Sequence, residues 1–220
     1  MLSQRIARLG FSLKLAALNL AVRRLQRLPA GQSPGWLDVV LLALAWGNLG
    51  YAAGFAYLRH VGRKVAASQG PILECGSGAT TLLIAALTAP RGIDFVVLEH
   101  NREWFEHLAR VLRALGLGHV KLRHAPLVTY AGYRWYEPPA EPAAGHFHLV
   151  VCDGPPGSTP GGRYGLMPVM GPRLSSNCVI LLDDTHRQAE RRIIEMWRRY
   201  RRLSVSPRGW FGRYTEVVFA

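Results

Sequence analysis

The sequence predicts an α/β domain, a doubly wound and mostly parallel sheet of seven strands behind a helical N-terminal extension. Three observations carry that prediction. From Pro71 onward, short apolar runs alternate with longer stretches of helical period. The first of those runs leads through a glycine-containing turn straight into a helical stretch. Residues 1–28, by contrast, repeat apolar side chains at steps of three and four and hold no acidic residue. Strands that alternate with helices pair in parallel, because each return crossing lays its helix on a sheet face.

In the extension, Leu2, Ile6, Leu9, Leu13, Ala16 and Leu20 form one helical stripe. Phe11, Leu15, Leu18, Val22 and Leu25 form a second, on nearly the opposite side. A helix apolar on two sides needs two things to bury against. The domain supplies one; a second protomer, a membrane surface or another part of the same fold supplies the other. Residues 29–35 read as a turn or linker. The run 39–58 carries no charge and is long enough to span a bilayer. Gly47, Asn48, Gly50 and Gly54 interrupt it and Asp38 sits at its edge, so the expectation is a buried or substrate-facing helical segment rather than a span. The chain divides into 1–65, an extension for association, membrane-surface contact or a lid, and 66–220, the α/β domain. Strands are predicted at 72–75, 94–98, 120–123, 147–152, 178–182, 203–206 and 215–219, the last two as a closing hairpin. Helices are predicted at 81–87, 103–115 and 186–200, with a polar, proline-rich passage running to Glu141.

At 220 residues and 49% apolar content the chain supports a full core and excludes intrinsic disorder. The net charge of +13 suits an acidic partner, whether anionic lipid, nucleic acid or a phosphorylated metabolite. Arginines on solvated faces account for it equally well. Cys75, Cys152 and Cys178 are odd in number and lack metal-ligand spacing, so they read as small core residues in a reducing compartment, the cytoplasm by default. No cleavable signal peptide is evident.

The chemistry concentrates at strand ends. Glu74-Cys75-Gly76-Ser77-Gly78-Ala79-Thr80-Thr81 follows a strand and opens a helix, where glycines let backbone N–H groups approach a ligand. A dinucleotide loop wants a third glycine, and Thr81 stands in its place. A carboxylate at Glu74 suits a cofactor with a cationic amino group better than a pyrophosphate, which it would repel. A nicotinamide-dependent oxidoreductase is thereby disfavoured. Glu99 ends the next strand, 21 residues after Gly78, where an acidic side chain accepts hydrogen bonds from ribose hydroxyls.

Together with Glu99-His100-Asn101 and Cys152-Asp153-Gly154-Pro155-Pro156-Gly157, this loop resembles the motifs of class I S-adenosylmethionine-dependent methyltransferases, in their order and at their strand-end places. The resemblance covers about 71–220 and is strongest to the small-molecule, catechol O-methyltransferase-like branch. It implies a Rossmann-like fold and methyl transfer to a small-molecule acceptor, at oxygen rather than nitrogen. It implies that Glu74, Gly76 and Gly78 hold the methionine end, with Ser77 and Thr80 of the same loop also at the cofactor. Glu99 would bind the ribose with His100 beside it, Ala125 would meet the adenine through its backbone, and Asp153 would lie beneath the sulfonium. His124-Ala125-Pro126 stands where the family commonly has an acidic residue, and no Asn-Pro-Pro-Tyr motif is present. The second departure lowers the case for base N-methylation and leaves RNA-directed methylation as an alternative. A non-catalytic, membrane-associated cofactor-binding module is another.

In the metal-dependent branch, carboxylates comparable to Asp153, Asp183 and Asp184 bind magnesium. Here the second pair is Asp-Asp where that branch often has Asp-Asn, and a strand-end aspartate also serves as a helix cap, so magnesium stays open. Asp153, Asp184 and His186, in falling order, are the candidates for deprotonating an acceptor. The glycine-rich loop 157–165 places Arg163 and Tyr164 at the expected mouth of the cleft, as substrate contacts. The arginines at 187, 191, 192, 198, 199, 201 and 202, interleaved with Trp197, Tyr200, Trp210 and Phe211, fit either a nucleic-acid surface or a solvated helix face.

Overall fold

Apolar runs that are buried on both faces become the central strands, and the computed structural model places them close to where the pattern does. It describes residues 2–47, 54–138, 146–210 and 213–220, the side chains of residues 2–9 and 11 aside. The strands are β1 (Ile72–Cys75), β2 (Phe95–Glu99), β3 (Lys121–His124), β4 (Leu127–Tyr130), β5 (Tyr133–Tyr136), β6 (Phe147–Cys152), β7 (Leu174–Leu182), β8 (Leu203–Arg208) and β9 (Tyr214–Phe219). The helices are α1 (Leu2–Gln26), α2 (Trp36–Trp46), α3 (Phe55–Ala67), α4 (Ala79–Thr88), α5 (Arg102–Ala114) and α6 (Gln188–Trp197).

Seven strands form one sheet in the order β3-β2-β1-β6-β7-β9-β8. Pairing is parallel from β3 to β7, and β9 runs antiparallel to both β7 and β8. The closing hairpin is therefore present. Side chains alternate across the sheet. Ile72, Phe95, Val97, Leu149, Val151 and Leu181 join a core with α1 to α5. Leu73, Cys75, Val96, Leu98, Val150, Cys152, Ile180 and Leu182 join a second core with β5 and α6. All three cysteines are free and buried.

The N-terminal helices share the first core. Leu18, Val22 and Leu25 of α1 are buried with Val39, Leu42 and Trp46 of α2, and Leu13 and Leu20 of the other α1 stripe are exposed. Leu2, Ile6, Leu9 and Phe11 lie outside the described side chains. Of the run 39–58, residues 39–46 belong to the buried helix α2 and residues 55–58 to α3. The helix α2 stops at Trp46, where Gly47 takes a left-handed φ of 74° and its amide caps the carbonyl of Ala43. Asn48 and Gly50 fall outside the described residues. Among the described residues, no helix is long and apolar enough to cross a membrane. The third helix is tied to the sheet: the Tyr57 hydroxyl donates to the Leu181 carbonyl at 3.2 Å, and His60 and Lys64 both reach Glu216 of β9.

Two further differences have local causes. The proline-rich passage after β3 contains the hairpin β4–β5, turned at Gly132 (φ 86°), with Trp135 and Tyr136 buried against the second core. Residues 139–141 of that passage are outside the described residues. His186 precedes α6 rather than opening it.

Candidate functional site

Strand order reverses at β1, which lies between β2 and β6 while the chain runs on to β3. Such a switch point opens a crevice at the carboxyl ends of the strands. Here the loops after β1 and β6 meet backbone to backbone. Gly76 has φ 83°, and a Cβ there would lie 2.9 Å from the Gly154 nitrogen. A Cβ on Gly154 would in turn lie 2.3 Å from the Tyr136 hydroxyl. The Gly78 amide donates to Thr81 Oγ1 at 2.9 Å, capping α4. Above these loops is a cavity of about 590 Å³, within the range of small-ligand and cofactor sites. Gly76 to Thr80 form one side, Glu99, His100, Asn101 and Trp104 another, and Tyr136, Asp153, Gly154 and Pro156 the rest, with Trp46 of α2 closing it.

Glu99 is buried and held in one orientation. Ser77 Oγ donates to its Oε2 at 2.6 Å and the Asn101 amide to its Oε1 at 2.8 Å. His100 Nδ1 stands 3.2 Å from Oε1. Burial pushes this carboxyl up, but His100, Ser77 and the Asn101 amide outweigh it and hold it below the ordinary carboxylate value. The site thus presents a fixed anion at the end of β2. Trp104 braces the same corner, its indole N–H donating to the Ser77 carbonyl at 2.9 Å.

Two expected cofactor contacts are placed elsewhere. Glu74 is fully buried, on the α4 side of β1, and accepts hydrogen bonds from Thr80 Oγ1 and, at 2.7 Å, Thr81 Oγ1. It does not line the cavity; it braces the loop that does. Burial pushes its carboxyl up to about 8 against the pull of the two threonines. Ala125 does not line the cavity either, and its amide is taken by the Glu99 carbonyl at 2.8 Å.

Asp153 lines the cavity with a third of its side chain accessible. Burial within the site, reinforced by Asp183, raises its carboxyl, and Arg163 opposes the shift. Arg163 is a correction. It is 2% exposed and makes no part of the cavity wall. Its Nη2 donates to Asp153 Oδ1 (3.0 Å), the Asp153 carbonyl (2.8 Å) and Asp184 Oδ2 (3.1 Å), and its Nη1 donates to the Asp183 carbonyl. Asp184 also pairs with Arg187 at 2.9 Å and is absent from the cavity. Its φ of 59° is the left-handed region that aspartate tolerates. His186 is exposed and is likewise not brought to the cavity. Magnesium does not fit Asp153, Asp183 and Asp184 as arranged. The Asp183 Oδ1 accepts the Asp184 amide, a guanidinium spans the other two carboxylates, and no metal-holding group of three or more such side chains occurs among the described residues. Tyr164 lies outside the cavity wall, bonded to the Tyr200 hydroxyl at 2.6 Å and in edge contact with Tyr133.

Much of the basic run serves the fold itself. Arg187 pairs with Asp184, Arg191 donates to the carbonyls of Thr185 and His186, and Arg198 pairs with Glu195. Phe211 is outside the described residues. The cavity residues that motif reading missed are Trp46, Trp104 and Tyr136. The first-turn position of Trp104, five residues after Glu99, was a usable signal. Trp46 lies in the run 39–58 expected to be buried or substrate-facing, whereas nothing local marked Tyr136, which arrives from an unexpected hairpin.

No protein-family model and no curated protein matches the sequence. Solved structures do match. A methyltransferase of Podospora anserina with SAH bound superposes with a TM-score of 0.57 at 17% identity, covering 88% of this chain and 89% of that one. A methyltransferase of Geobacter sulfurreducens gives 0.55 at 15% identity, covering 97% and 96%. An O-methyltransferase of Bacillus cereus in complex with SAH gives 0.50 at 16%, covering 93% and 91%. The fold is the Rossmann-like methyltransferase fold.

Proposed function

We propose that the chain binds S-adenosylmethionine in the cavity at the β1/β6 switch point and transfers its methyl group to a small-molecule acceptor, at oxygen. The observation that carries this is Glu99, a buried, ionised and pre-oriented carboxylate facing a cavity that the glycine loop also lines. A ribose offers the paired hydroxyls that such an acceptor needs. The approach of backbone at Gly76 and the unpartnered buried hydroxyl of Tyr136 among the described residues fit a ligand that completes the site.

The cofactor's sulfonium supplies a methyl group that is already activated. The chain's part is alignment and exclusion of water. Trp46 and Trp104, in edge contact at 5.7 Å, wall the cavity on the helical side. Asp153 is the carboxylate within it that accepts a proton from an acceptor hydroxyl, and a raised carboxyl suits that task near neutral pH.

Calorimetric titration with S-adenosylmethionine and S-adenosylhomocysteine, with NAD as control, tests the reading. Both sulfur ligands are expected to bind and NAD is not. Hydrogen bonds to a charged group contribute about 1.5–3 kcal/mol, so Glu99→Gln is expected to weaken S-adenosylhomocysteine binding by roughly tenfold or more. Folded protein that binds neither sulfur ligand overturns the proposal.

A further inference from the structure

Arg163 sits on a short 3-10 turn (Gly162–Gly165) between β6 and β7, and its position has a chemical consequence. Its guanidinium lies at the ends of those two strands, where Asp153 and Asp184 converge within 3.0 and 3.1 Å of Nη2 and Glu190 stands 3.9 Å from Nη1. We propose that Arg163 is the resident cation of this site and occupies the place of a divalent ion between Asp153 and Asp184, so that the chain binds no divalent metal there.

The argument is one of coordination and burial. Magnesium needs near-octahedral oxygen ligands and keeps several waters. The oxygens it would use are already bridged by a planar fork of N–H donors, whose geometry matches carboxylates and fixes their orientation. A metal entering would strand a guanidinium that is 2% exposed, and a buried charge deprived of its partner is strongly destabilising. Burial alone would lower the affinity of Arg163 for its proton. Asp153, Asp184 and Glu190 outweigh that effect and keep the cation charged. The fork takes Asp153 Oδ1. With methyl transfer as proposed above, the acceptor then meets a single carboxylate oxygen rather than a chelating metal, which favours a lone hydroxyl over a vicinal diol.

The test needs neither cofactor nor acceptor, so it stands apart from the proposed activity. The full chain, dialysed against EDTA, is titrated with magnesium, manganese and calcium by calorimetry and thermal melting. Wild type is expected to give no binding heat and no shift in Tm. Arg163→Met removes the cation and keeps much of the volume; it is expected to melt lower and to regain Tm on adding metal. Arg163→Lys keeps the charge and is expected to stay indifferent to metal. A wild-type rise in Tm with metal that Asp184→Asn abolishes overturns the proposal, as does a folded Arg163→Met protein that metal does not stabilise. If Arg163→Met does not fold, the wild-type titration decides alone.

Discussion

Glu74 separates bracing a ligand loop from touching the ligand. Side chains alternate along β1, so Glu74 points with Ile72 toward α4, where two threonine hydroxyls meet it. Because burial pushes its carboxyl from the ordinary 4.5 up to about 8, folded protein keeps a proton that the unfolded chain has lost between those values. The folded state binds more protons in that window, so unfolding free energy falls as pH rises through it. Glu74→Gln has no proton to lose. Its denaturant midpoint is expected to fall less than that of wild type as pH is raised toward about 8, and equal slopes would show that Glu74 is ionised throughout. The cavity-lining place of Glu99 was legible in the sequence from its position at a strand end. Period-two alternation could have turned Glu74 away from the cleft, and motif resemblance hid it. Arg163 was misread for another reason: a glycine-rich loop suggests exposure, and nothing local announces that three acidic side chains await its arginine.

At the level of elements, the site depends on two loops that touch without side chains between them. Gly76 and Gly154 let the turns after β1 and β6 approach within backbone contact. Gly76→Ala faces a left-handed φ, costing about 1–2 kcal/mol, and a Cβ 2.9 Å from the Gly154 nitrogen, which backbone must move to relieve. For a chain of this size about 1 kcal/mol lowers Tm by about 2–4 °C. The variant is expected to melt lower by at least that much and to lose S-adenosylhomocysteine affinity, read by calorimetry. Full affinity in the variant would mean that the two loops need not meet for binding. The central strands were legible because β1, β2 and β6 are almost wholly buried and so read as mostly apolar runs, with Glu74 in β1 and His148 in β6 the polar interruptions. The β4–β5 hairpin was not. Its strands are four residues each, Pro126 precedes them, and only Trp135 and Tyr136 are buried, so the pattern is too short to set a period.

Across the whole molecule, the N-terminal helices behave as part of the core rather than as an appendage. Leu18, Val22, Leu25, Val39, Leu42 and Trp46 are all at most 2% exposed and pack in one cluster with α4. Burial of a large apolar side chain contributes about 1.5–3 kcal/mol, so these six together are worth roughly 9–18 kcal/mol. That matches or exceeds the net stability of about 5–15 kcal/mol typical of folded domains. A chain beginning at Gly54 keeps α3, with its Tyr57–Leu181 and Glu216 contacts, yet leaves the apolar face of α4 open to water. It is expected to lose cooperative unfolding and to bind a hydrophobic dye, while the full chain melts in a single calorimetric transition. Two separate transitions in the full chain, or a truncated chain with a sharp native melt, would instead establish residues 1–53 as an independent unit. Of the two stripes read in the extension, the Leu18 stripe is its core side, and Leu13 and Leu20 of the other are exposed.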